Sequence, residues 1–139
     1  MNSTQIDPIL KSHFLNLYFI ALSDLEVDTT ELELLYKLGE NRGIKKDEIN
    51  DIIINPDHAK IRIPESLDVK IEYLYDFALM IQADNKIDEF ERIALKRFCK
   101  IFGFLDENIN EITDYILNEV KKGISKGDLI NIINKNKGN

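Results

Sequence analysis

The chain has one cysteine, Cys99, in 139 residues, so no intrachain disulfide is possible and a reducing compartment fits best. It has no excess of positive charge: the formal net charge is −7 and the pI is near 4.9. That balance argues against non-specific nucleic-acid binding, which needs a cationic surface to displace counterions from phosphates. An anionic membrane surface repels the chain for the same reason. Long apolar runs are missing as well. The most apolar early stretch, Phe14 to Leu22, is interrupted by Asn16 and is too short to span a bilayer. The beginning carries neither a basic segment nor an apolar h-region, so a cytoplasmic protein without membrane insertion is expected. Glycine-rich phosphate loops and nucleophile elbows are absent, and with them any visible catalytic machinery. The two histidines, His13 and His58, lie far apart without metal-ligand spacing, and His13 beside Phe14 reads as a helix-surface residue. Cys99 falls inside a helical pattern and reads as a buried, inert thiol.

What is present is helical periodicity almost throughout. An apolar fraction of 44% and a charged fraction of 31% are those of an ordinary globular protein. The length suits one domain, residues 1–139. Leu10, Phe14, Leu17, Tyr18, Ala21 and Leu25 step by three and four along a first helix that Pro8 opens. A second helix starts near Thr29, turns Leu34, Leu35 and Leu38 inward, and stops near Gly43. A short third covers residues 47–53 before Asn55-Pro56, and a loop follows to Pro64. The segment 65–84 is apolar over most of its circumference and belongs at the centre of the fold. Residues 88–102 form the next helix, with Phe90, Ile93, Ala94, Phe98 and Ile101 inward, ending at Gly103. Ile109, Ile112, Ile116 and Val120 mark another, and Leu129, Ile132 and Ile133 mark the last, over about 125–136. The residues from Asn134 onward are expected to fray. The fold class is therefore all-α, a compact bundle of six to seven helices.

The second half repeats the first. A shift of sixty positions brings Asp24 onto Asp84, Asp28 onto Asp88, Glu31 onto Glu91, Leu35 onto Leu95, Gly43 onto Gly103 and Ile49 onto Ile109. Repeat one covers about 9–54 and repeat two about 65–122. The pattern predicts tandem helical units related by a pseudo-two-fold axis.

Each repeat places Asp-x-x-x-Asp-x-x-Glu across a corner between helices. Asp28 with Glu31, and Asp88 with Glu91, have the spacing of capping boxes, and both charges suit a helix N-terminus. Asp24 and Asp84 stand instead at the C-terminal end of a long helix, where the macrodipole disfavours a carboxylate. Either each accepts backbone N–H groups of the corner, as Asx-turns do, or a bound cation offsets the charge. A donor set made only of oxygen suits Ca²⁺, Mg²⁺ or Mn²⁺ and not a structural zinc. The corner is not an EF-hand. With Glu91 as the last ligand, the leading ligand slots fall on Met80 and Gln82 and the required glycine on Asn85; in the first repeat the leading slots fall on Ile20 and Leu22.

Ala83-Asp84-Asn85-Lys86-Ile87-Asp88-x-x-Glu91, followed by Gly103, resembles the corner of the TerB-like domain family, named for a bacterial tellurite-resistance protein. Ser23-Asp24-Leu25-Glu26-Val27-Asp28-x-x-Glu31 is similar but looser, and the resemblance runs over roughly residues 15–116. The family's glycine after the first Asp is Leu25 in one repeat and Asn85 in the other. The resemblance implies a helical bundle, a stress-response setting with protein partners, and a metal site at Asp24, Asp28, Glu31, Asp84, Asp88 and Glu91. An acidic corner repels an oxyanion, so direct binding of tellurite there is disfavoured. The competing expectation is a protein–protein interaction module whose acidic corners are only helix caps.

Overall fold

The computed structural model describes residues 7–21, 29–55, 62–83 and 89–137. Among them are seven α-helices and no strand: α1 (Pro8–Ala21), α2 (Thr29–Asn41), α3 (Lys46–Ile54), α4 (Leu67–Ile81), α5 (Glu89–Ile101), α6 (Asp106–Lys121) and α7 (Lys126–Lys137). The all-α class expected from periodicity is therefore what the described residues show. The helices fall into two compact units, Met1–Arg62 and Ile63–Asn139.

Within the first unit α1, α2 and α3 each pack on the other two. Asp7 caps α1: its Oδ1 accepts the Ile9 N–H at 3.0 Å and its carbonyl accepts the Lys11 N–H at 2.9 Å. Pro8 then occupies the first turn, where its missing N–H costs nothing. Residues 12–17 of α1 are buried without a break, so this helix has no outer face at that level. His13 is consequently buried and not on the surface as its sequence context predicts; its ring meets Phe14 edge-on, with centroids 5.5 Å apart. Ser12 Oγ accepts the Arg62 N–H at 3.0 Å, which anchors the end of the unit to α1.

In the second unit α4 packs on α5, α6 and α7, the central place its all-round apolarity predicts, and α5 packs on α6. α4 begins at Leu67 and not at residue 65, because the Ser66 hydroxyl accepts the Val69 N–H at 3.1 Å and caps it. It ends at Ile81, short of residue 84. There Gln82 is the C-cap, and its Nε2 donates to the Leu117 carbonyl of α6 at 2.6 Å. Phe77 of α4 stacks on Phe98 of α5 at 4.5 Å between centroids, and Phe102 lies 6.3 Å from both. α7 stays helical to Lys137, where fraying is expected from composition; Asn134 Nδ2 donates to Asp68 Oδ1 at 2.7 Å and ties its far end to α4.

α2 and α5 end alike. Gly43 and Gly103 adopt φ +77° and +95°, values that strain any residue with a Cβ. The Gly43 N–H donates to the Glu40 carbonyl at 3.0 Å and the Ile44 N–H to the Gly39 carbonyl at 2.8 Å. Sixty residues on, Gly103 donates to Lys100 at 3.0 Å and Phe104 to Cys99 at 3.1 Å. These are the paired bonds of a Schellman stop. The two helices also share their burial pattern. From 31 to 40 and from 91 to 100, residues sixty apart are buried, half-buried or exposed in the same order. That order corrects one expectation. Ile93 is 37% exposed, because the inward face of α5 runs through Glu91, Leu95, Phe98, Cys99 and Phe102. Ile93, two residues from both Glu91 and Leu95, points the other way.

Candidate site at the starts of α2 and α5

Of the six acids predicted as a site, Asp24, Asp28, Asp84 and Asp88 lie outside the described residues. Glu31 and Glu91 are described, each as the third residue of its helix, α2 or α5. That is where a capping-box glutamate belongs. They are unusual in being buried: Glu31 is 3% exposed and Glu91 is 5% exposed. Glutamate is almost never fully buried unless it is paired. Neither one is without a partner. The positive end of the helix dipole lies within the same turn and favours the charge, by up to about 2 kcal/mol in partly buried settings. Chemically, each start offers a desolvated carboxylate, whose oxygens can ligate a hard cation or accept a backbone N–H. No group of three or more metal-capable side chains occurs among the described residues.

Sequence reasoning missed a third buried carboxylate. Asp76, in the middle of α4, is 0% exposed, and Lys126 Nζ at the start of α7 lies 3.1 Å from its Oδ1. The same ammonium sits over the Tyr75 ring at 5.7 Å, and the Tyr75 hydroxyl donates to the Ile124 carbonyl at 2.8 Å. Burial, and secondarily the Asp76 charge, raises the Tyr75 pKa, so the phenol stays a donor. The signal was available in sequence: an acid flanked by Tyr75 and Phe77 on a helix apolar all round has no solvent face to use. Its position matches Asn16 under the sixty-residue shift, and Asn16 is also buried.

Cys99 is buried as expected. Desolvation pushes its thiol up to about 11 from 9.0, against a smaller lowering by Thr113, whose Oγ1 is 3.8 Å from Sγ. A thiol so protonated is a poor nucleophile. The basic residues of α5 are partly neutralised: Arg92 pairs with Asp114, and Lys100 Nζ lies 3.8 Å from Asp106. Among the described residues no helix is long and apolar enough to cross a membrane.

The fold and the buried acids define an all-α protein with a carboxylate set into the start of each second helix. No protein-family model, curated protein or solved structure matches the chain.

Proposed function

We propose that the chain is a non-enzymatic, TerB-like stress-response domain that binds a divalent cation at its acidic helix corners. One observation carries this reading: Glu31 and Glu91, sixty residues apart, are both buried in the first turn of their helices. A glutamate serving only as a surface cap keeps its carboxylate in water, whereas a desolvated carboxylate requires compensating charge or several donors. The sequence supplies four further acids to the same two corners, Asp24 and Asp28 before α2 and Asp84 and Asp88 before α5. The set is all oxygen, the chemistry of Ca²⁺, Mg²⁺ and Mn²⁺. Under this reading the protein is cytoplasmic and acts through a cation and a protein partner, not by contacting an oxyanion.

Calorimetric titration of chelator-treated protein with CaCl₂, MgCl₂ and MnCl₂, paired with thermal melts, tests the reading. At least one ion should release or absorb heat and raise the melting temperature; an ion at a hundredfold its Kd adds about 2.7 kcal/mol of stability. Glu91→Gln should weaken that response while the metal-free protein remains folded. If no ion gives heat or a thermal shift at millimolar concentration, the acids are caps alone and the interaction-module reading replaces this one.

A further inference from the structure

We infer that α7 is a strap that opens separately from the rest of the second unit and is latched onto α4 by the ion pair between Lys126 and the buried Asp76. The inference is independent of cation binding at the corners. The two helices run antiparallel in a fixed register. Lys126 meets Asp76, and Asn134, eight residues later, meets Asp68, eight residues earlier. The contact line is therefore about 12 Å long at the rise of an α-helix.

Along that line the apolar hold is thin. Leu129 is the one described side chain of α7 that is fully buried, while Ile130, Ile132 and Ile133 are only half-buried. α6, by contrast, buries Ile109, Thr113, Ile116, Leu117 and Val120. A segment with few buried apolar contacts opens at lower free energy than its neighbours. Polar contacts add to that hold. Lys126 reaches Asp76 and Tyr75, the Tyr75 hydroxyl takes the Ile124 carbonyl in the turn before the helix, and Asn134 takes Asp68. Of these, the Asp76–Lys126 pair is the one with a fully buried partner, and removing the lysine leaves that buried charge less well compensated. Opening brings water to Asp76 and frees Lys126.

Native-state hydrogen exchange on the full chain tests this, comparing wild type with Lys126→Met, which keeps the aliphatic stem, and with Lys122→Met as a control. Lys122 pairs with Glu119 at 3.2 Å on the surface. In wild type the α7 amides should exchange faster than those of α4 and α6. In Lys126→Met they should accelerate about tenfold or more, with α5 and α6 unchanged and the control near wild type. Adding Asp76→Asn to Lys126→Met should recover part of the loss, because the buried group is then neutral. Uniform acceleration across α4 to α7 would show that α7 unfolds only with the whole unit, and an unaltered α7 would show that the pair is no latch. Either result overturns the proposal.

Discussion

In the first unit position 39 is glycine; sixty residues later position 99 is cysteine, and the helices around the two positions are filled differently. A Cβ on Gly39 would lie 2.3 Å from Ile49 Cδ1, so the absent side chain is what lets α3 approach α2. Cys99 occupies the equivalent place with its thiol toward Thr113. The aromatic cluster of the second unit, Phe77, Phe98 and Phe102, corresponds to Leu17, Leu38 and Arg42, and Arg42 lies over Phe14 at 5.9 Å. The last matched helix also differs, with nine residues in α3 and sixteen in α6. Yet α2 and α5 start and stop in the same way. Helix punctuation is local and survives a change of filling, whereas core filling is negotiated between helices and can differ freely.

Emptying the aromatic cluster should cost the second unit most. Phe77→Ala removes a fully buried ring and should cost about 3–5 kcal/mol in denaturant unfolding. A loss below about 1 kcal/mol would mean that the stack is not the second unit's keystone. Next is the exchange of one unit's residue for the other's. Gly39→Cys puts a Cβ against the tip of Ile49, which is 0% exposed and must shift within a packed core, so a loss of about 1–3 kcal/mol is expected despite the better helix former. A neutral result would show that Ile49 or α3 can give way to the added side chain.

Gly43→Ala and Gly103→Ala should each cost about 1–2 kcal/mol, and nearly equally, because both force a Cβ into left-handed backbone. Among the described residues neither meets a steric obstacle, with nothing within 4 Å of Gly43 and only Lys70 Nζ at 3.8 Å from Gly103. Unequal costs would show that the two stops are not equivalent. The smallest effect concerns Cys99. Its folded pKa of about 11 stands above the ordinary 9.0, so the folded state holds the proton more tightly. Its contribution to stability is whole below pH 9 and declines as pH rises from 9 to 11. Alkylation at pH 8 should be slow in native protein and fast once denatured; rapid native labelling would contradict the buried thiol.

Much of the architecture could be read directly from the chain. Pro8, Thr29, Gly43 and Gly103 mark helix ends to within a residue or two, because capping and left-handed stops are made by neighbouring atoms. The central role of α4 followed from its apolarity. His13 and Ile93 went the other way, since the side of a helix that is covered depends on which other helices arrive. Of the proposed site, Glu31 and Glu91 were legible as helix-start acids, but their burial was not. Asp76 was passed over because its partner Lys126 lies fifty residues away.

Sequence alone determined the all-α class, the order of the helices and the sixty-residue correspondence, since these rest on a 3.6-residue period and on caps that act within one turn. Tertiary structure decided which charges lose their water: Glu31, Glu91 and Asp76 inside, Asp106 and Asp114 outside. Desolvation is a property of everything packed around a group; of these acids only Asp76, on a helix apolar all round, has a local pattern that points to it.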